Sequence, residues 1–460
     1  MTKIRLLMTL FASALVVAGC ALPQRPAAGP EPIVFVHGNG DSASIWQTTI
    51  WRFESNGWPG DRLHAIDLPY PLARDDDAVA QPGRTSTADH MAFLRSEVEA
   101  VVARTGARQV ILIGNSRGGN AIRNYIQNGG GAARVSHAIL GGAPNHGIWS
   151  IKGMSEGSEF SGLSPFIQQL NAPKPPDGNE VVPPVRWLTI RSDTNDKYAQ
   201  PDGRWIERPG TPTNIGYDGP ALRGATNVVL PRVDHRETAF SPAAFEAMFR
   251  FLTDRSPRSG AIVASDTVTL DGKISGLGMR SEDPASGDFP NNLAVAGARI
   301  EVFETDPATG ERRGPALHRK TVAADGRWGP FAAHRGTSYE FVIVADGYPV
   351  NHVYRSAFPR SSAVIHFRLQ RSPAIDKDAG AVVSLTRPRG YFDAERDRMS
   401  LGGVTPPPGV PATGAGVSAS RLRLDAGEPR TVTGEFNGER IAARSWSPAR
   451  DHVVVIELTY

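Results

Sequence analysis

Between Pro32 and about Arg255 the sequence alternates short apolar runs with connections long enough to hold a helix, and this rhythm constrains the fold more than any other feature. The runs are Ile33 to His37, Leu63 to Asp67, Val110 to Gly114, His137 to Gly142, Val185 to Ile190 and Thr226 to Leu230. Within 85–104, Met91, Leu94, Val98 and Val101 recur at helical spacing, and Gly106 is placed to stop that helix. A second helix is predicted over 242–252, after the last run. Strands separated by helix-length connections pair in parallel and are covered on both faces, so the expected fold class is α/β with an open, mostly parallel sheet. Ligands of such sheets bind beyond the C-terminal strand ends.

The rhythm breaks between His146 and Pro184, a stretch too long for an ordinary connection, with one short helix predicted near Leu163 to Leu170. An insertion at this end of the sheet is expected to act as a cap or lid over 146–184. After Ser256 the helical patterns disappear. Short strands and turns over 261–371 suggest a small β-sandwich, and 372–460 reads as a second β-rich domain or an extension. The 48 Gly and 37 Pro fit this strand-and-turn half.

Gly114-Asn115-Ser116-Arg117-Gly118 matches Gly-x-Ser-x-Gly, and so does Gly153-Met154-Ser155-Glu156-Gly157. Context separates them. Ser155 has no strand before it, whereas Ser116 follows five β-type apolar residues and precedes a helix in which Ile122, Tyr125 and Ile126 share a face. Strand, tight turn and helix are what exposes a nucleophilic serine hydroxyl above a helix N-terminus, so Ser116 is the candidate nucleophile.

A serine hydroxyl needs a base to take its proton and an acceptor to orient that base. His235 lies on the loop after Thr226 to Leu230 and is the only histidine between His146 and the β region. The acid is expected after Val185 to Ile190, where Asp193 and Asp196 compete. Asp196 is favoured, and Asp193, nearer the strand end, is placed to cap the turn. Two backbone donors are needed for a tetrahedral oxyanion, expected from Arg117, which follows the nucleophile, and from Asn39 in His37-Gly38-Asn39-Gly40. His37 itself is expected to support the loop.

Together, HGNGDSASIW, LIGNSRGG, GGAPNHG, RSDTNDKYAQPDG and VDHRETAFSP resemble the α/β-hydrolase lipases and esterases. The order serine, acid, histidine is the order of that superfamily. Asp196 opens Asp-Lys-Tyr-Ala-Gln-Pro, similar to the Asp-x-x-Val-x-Pro found after this strand in many hydrolases. The resemblance covers about 32–255 strongly, and the C-terminal β region is similar in outline to that of two-domain prokaryotic lipases. It implies hydrolysis of a hydrophobic carboxylic ester through an acyl-enzyme. Asn115 and Arg117 depart from the His-Ser-x-Gly of many true lipases, which leaves lipase, esterase and polyester hydrolase open, with an amidase on the same triad or a noncatalytic surface-binding lipoprotein as the alternatives. Trp149, Phe160 and Phe166 in the insertion are candidates for the acyl pocket.

Residues 1–20 carry Lys3 and Arg5, then an apolar stretch too short for a confident membrane span, then Val17-Ala18-Gly19-Cys20. That ending resembles the bacterial lipobox, which implies acylation of Cys20 and a membrane anchor; an ordinary signal peptide is the alternative. Residues 21–31 read as a tether. Ala21, rather than Asp, after the cysteine favours the outer membrane or the cell surface. One cysteine excludes intramolecular disulfides. A net charge of +3 carried by scattered arginines excludes nucleic acid as an expected partner. No cofactor or metal site is indicated; carboxylates such as Asp283 and Asp288 specify no cation.

Overall fold

In the computed structural model the apolar runs become the strands of one sheet. In chain order these are β1 (Ile33–Val36), β2 (Leu63–Ile66), β5 (Val110–Asn115), β6 (Val135–Gly141), β7 (Arg186–Ser192) and β8 (Thr226–Leu230), with a separate short pair, β3 (Leu72–Ala73) and β4 (Arg84–Thr85), between β2 and β5. The main sheet runs β2-β1-β5-β6-β7-β8 with every pairing parallel. The structure describes residues 29–460 apart from 194, 201, 202, 207, 212, 278–289, 372, 373, 377 and 448–451. Cys20, Asp283 and Asp288 lie outside the described residues.

Successive strand residues point to opposite faces, and both faces are apolar. Val34, Val36, Val110, Leu112, Ala138 and Leu140 face α2 (Thr87–Thr105) and α3 (Arg117–Asn128), packing on Leu94, Val98, Ile122 and Tyr125. Ile33, Phe35, Ile111, Ile113 and Ile139 face the other way, onto α1 (Gln47–Ser55) and α6 (Pro242–Thr253), through Phe53, Phe245 and Met248. The helix bounds follow local chemistry. Ser86 and Asp89 form a reciprocal capping box at the start of α2, and Gly106 ends it at φ 66°. Ser241 caps α6, with Pro242 at its first position. Between them lie α4 (Pro165–Asn171), inside the insertion, and α5 (Glu237–Phe240).

The remaining strands are β9 (Val268–Leu270), β10 (Ile274–Leu277), β11 (Pro290–Ala294), β12 (Arg299–Thr305), β13 (His318–Thr321), β14 (Phe331–Ala333), β15 (Ser338–Val344), β16 (Val350–Arg355), β17 (Phe367–Leu369), β18 (Ala381–Thr386), β19 (Met399–Leu401), β20 (Ala419–Leu424), β21 (Thr431–Phe436), β22 (Glu439–Arg444) and β23 (His452–Glu457). A seven-stranded sheet, β13-β12-β15-β16-β23-β18-β20, takes strands from both sides of residue 372, so 372–460 extends a sheet that the residues before it begin. The reason is β23, which returns to pair in parallel with β16 on one side and β18 on the other. One core lies under β12 and β15, and a second lies between β18, β23 and the small sheet β19-β21-β22.

The two halves share buried contacts. Trp51 of α1 is enclosed by the β core with Leu270 and Ile365, and its indole N–H donates to Ser361 O at 2.8 Å. Asp67, after β2, accepts from His366 Nε2 at 2.8 Å and lies 3.5 Å from Lys273 Nζ. Burial alone would raise the Asp67 carboxyl, but His366 and Lys273 outweigh it and hold it below the usual carboxylate range. A depressed folded-state value contributes stability above the unfolded value, about pH 4, and that contribution is lost as pH falls through the folded one. Asp67→Asn is therefore expected to lower the Tm at neutral pH, with the gap to the unmutated protein closing as the melts are taken into acid below pH 4.

Candidate active site

Ser116 sits where β5 ends and α3 begins, at φ 53° and ψ −123°, a backbone region that a residue with a side chain rarely enters. The turn is held from all sides. The Ser116 N–H donates to Gly141 O at 2.8 Å, and Gly119 N–H donates back to Ser116 O at 2.9 Å. A side chain at Gly118 would place its Cβ 2.5 Å from Val36 O and 2.7 Å from His37 O, so the start of α3 is pressed against the end of β1. A Cβ on Gly38 would come 3.0 Å from Ser116 Cβ, which puts the loop after β1 against the serine. Ser155, of the second Gly-x-Ser-x-Gly, is exposed in a turn with no strand before it.

Asn115 links this turn to the histidine loop. Its buried side-chain Nδ2 is 3.1 Å from Gly141 O, 3.3 Å from His235 O and 3.3 Å from Thr238 Oγ1. His235 Nδ1 donates to Asp196 Oδ2 at 2.7 Å, and both side chains are buried. That bond fixes the proton on Nδ1 and leaves Nε2 as the basic nitrogen. Asp196 Oδ1 accepts from Tyr198 N–H at 2.9 Å, and the Tyr198 ring stands edge-on to His235 at 5.0 Å. Asp193 does different work: its Oδ1 accepts from Asn195 N–H and its Oδ2 from Arg232 N–H, both at 2.9 Å, tying the loop after β7 to the loop after β8.

Asn39 anchors its own loop by accepting from Ala73 N–H at 2.7 Å, while its backbone amide makes no hydrogen bond among the described residues. The Arg117 amide is the first of α3, where no intrahelical acceptor exists. His37 donates from Nδ1 to Gly38 O at 2.9 Å and accepts at Nε2 from Leu68 N–H at 3.1 Å, and burial lowers its pKa. It is a neutral support for the loop.

Two partnerships had no signal in the sequence. The Arg117 side chain, fully buried, donates through Nε to Glu159 Oε1 at 2.7 Å and through its other nitrogens to Pro71 O, Thr85 Oγ1 and Thr85 O. The residue after the serine thus holds the insertion at 159. Trp149 and Phe160 pack on Ile148, Ile206 and Ile215 together with Tyr198, the residue that touches His235. Phe166 lies on α4, outside that cluster. Among the described residues no group of three His, Cys, Asp or Glu side chains is arranged to hold a metal ion.

A parallel sheet with a serine on its strand-to-helix turn, and a paired histidine and carboxylate on the loops after its last two strands, defines the α/β-hydrolase class. Residues 30–179 match the family model of class 2 lipases, and residues 266–372 match that of the lipase C-terminal domain. Over these two stretches, which follow one another along the chain, it is similar to lipases of two-domain type, and the sheet and helices are those of the α/β-hydrolase fold. A non-heme haloperoxidase of Rhodococcus erythropolis is 32% identical over 117 residues, covering 25% of this chain and 37% of that protein, so the chain spans little more than a third of that relative's length. Among solved structures, the Bacillus licheniformis lipase BlEst2 in its propeptide form aligns over 92% of this chain and 94% of its own at 14% identity and a TM-score of 0.38. Its mature form aligns over 50% and 95% at 20% identity and 0.36, and a Listeria innocua gene product over 50% and 97% at 16% and 0.33.

Removing one partner of a buried ion pair leaves a charge without compensation, at a cost of about 3–5 kcal/mol. Burial already pushes the Glu159 carboxyl up, with Arg117 opposing it. Arg117→Met is expected to lose about that much unfolding free energy in urea titration, and Arg117→Met with Glu159→Leu to recover most of it.

Proposed function

We propose that the protein hydrolyses hydrophobic carboxylic esters through an acyl-enzyme on Ser116. The observation that carries this reading is the 2.7 Å bond from His235 to Asp196 on the loops beside the serine turn. His235 Nε2 takes the hydroxyl proton as Ser116 attacks the ester carbonyl. Asp196 keeps the ring in the tautomer with Nδ1 protonated and balances the charge of the imidazolium. The amides of Asn39 and Arg117 donate to the oxyanion, and the free state of both supports that assignment. The alcohol leaves with the proton from His235, and water repeats the sequence on the acyl-enzyme. The Trp149 and Phe160 wall, reaching His235 through Tyr198, supports an apolar acyl group as the preferred substrate. The lipobox-like end at Cys20 supports an acylated envelope anchor, which metabolic labelling with palmitate tests by its loss in Cys20→Ala.

The test is turnover of p-nitrophenyl esters from acetate to palmitate by the full chain in detergent. Ser116→Ala and His235→Ala are each expected to lower kcat at least about 10⁴-fold. The optimum acyl length then separates esterase from lipase. No turnover of any ester by folded protein would move the reading to an amide substrate. Asp196→Asn is expected to fall by orders of magnitude, whereas Asp193→Asn keeps kcat within a few-fold and lowers the Tm; the opposite pattern would reassign the acid.

A further inference from the structure

The loop that carries His235 is held by a residue of the β half. Asp234 precedes the histidine, and its Oδ1 reaches across it to accept from Arg236 N–H at 2.8 Å and Glu237 N–H at 2.9 Å. These two bonds set the backbone turn on which His235 stands. The Asp234 carboxylate is oriented in turn from outside the hydrolase half: its Oδ2 accepts from Arg387 Nη1 at 2.9 Å and from Tyr391 N–H at 2.7 Å. Arg387 Nη2 donates to Glu237 Oε1 at 2.6 Å, so one planar fork holds the carboxylates on both sides of the histidine. Arg387 follows β18 directly, is buried, and lies against the Phe436 ring at 4.5 Å, so its own position is fixed by the β core.

Two carboxylates this close, both removed from water, repel each other. Burial and the charge of Glu237 push Asp234 up, and Arg387 is among the cations that oppose this. Without a cation between them, Asp234 is expected to protonate or turn away, and the bonds to the amides of 236 and 237 go with it.

We propose that Arg387 is a positioning residue for His235, so that the C-terminal β unit is a working part of the active site. Arg387 acts through Asp234 and Glu237 and does not touch the reacting atoms. The proposal rests on the ester-hydrolase reading above. A planar fork at this point does what a lysine does not: it bonds two carboxylates in one plane at fixed spacing.

The test compares the full chain with its Arg387→Met and Arg387→Lys variants, with active sites counted by a fluorophosphonate probe so that misfolded protein drops out. Per titrated site, Arg387→Met is expected to lose at least tenfold in kcat with KM within about twofold, and Arg387→Lys to regain part of the loss. Loss of titratable sites with unchanged kcat per site would mean a purely structural role and would overturn the proposal. Should Arg387→Met not fold, Arg387→Lys decides by the same criterion. A second readout needs no substrate: the downfield proton resonance of His235 Nδ1, assigned by its absence in His235→Gln, is expected to shift or broaden in the Arg387 variants. An unchanged resonance also overturns the proposal. Failure of the ester reading looks different, because turnover is then missing from the unmutated protein or survives Ser116→Ala, while the resonance still reports on Arg387.

Discussion

The strained backbone at Ser116 is the constraint around which the site is arranged. A residue with a side chain in that region costs about 1–3 kcal/mol, and such a state persists only where the surroundings overdetermine it. Here they do. Gly118 lets the first turn of α3 lie against the carbonyls of Val36 and His37, and Gly38 lets the next loop lie against Ser116. One close approach therefore serves two ends: it holds the serine at its corner and sets the loop of Asn39 beside it. A methyl group at Gly118 would separate both at once.

Around that corner, three loops from the C-terminal strand ends meet, and the β half touches each. Arg368 donates to Gly40 O at 2.9 Å and to Asn292 Oδ1 at 2.7 Å, while Asn292 Nδ2 donates to the carbonyls of Asp41 and Leu68, both at 2.9 Å. On the acid loop, Gln200 donates to Ala415 O at 2.6 Å, and the Lys197 ammonium stands between the rings of Tyr198, Trp205 and Tyr391. Arg387 holds the third loop. These groups are largely buried polar contacts, and leaving any of them unpaired costs more than the bond itself is worth. Separating the halves would expose Trp51 and break all three sets together, which argues for one cooperative unfolding transition.

Much of this was legible in the sequence because its signals are local. The strands show as apolar runs, the turn at Ser116 as a run, two glycines and an amphipathic helix, and the stop of α2 as Gly106. What was not legible depends on chain segments far apart in sequence. Asp193 and Asp196 are three residues apart on one loop; the sequence favours Asp196 through its likeness to a motif, and the path of the loop is what brings Asp196 to His235 and Asp193 to Arg232. Residues 372–460 read as a second β-rich domain or an extension of the first, and what the local pattern could not carry is that β23 continues the same sheet by pairing with a strand well before 372. Arg387 is 153 residues from Asp234, with nothing around it that separates it from any other arginine at a strand end.

The insertion follows from the same logic. It is fastened at Glu159 to Arg117, next to the serine, and its Trp149 and Phe160 pack on the same isoleucine cluster as Tyr198, whose ring meets the histidine. A buried ion pair adds little net stability over a well-packed apolar pair, but it accepts no other partner and so specifies position. The insertion is thus registered against both Ser116 and His235. Ser116 is only 9% exposed, so the corner depends on neighbours that the insertion itself helps to fasten.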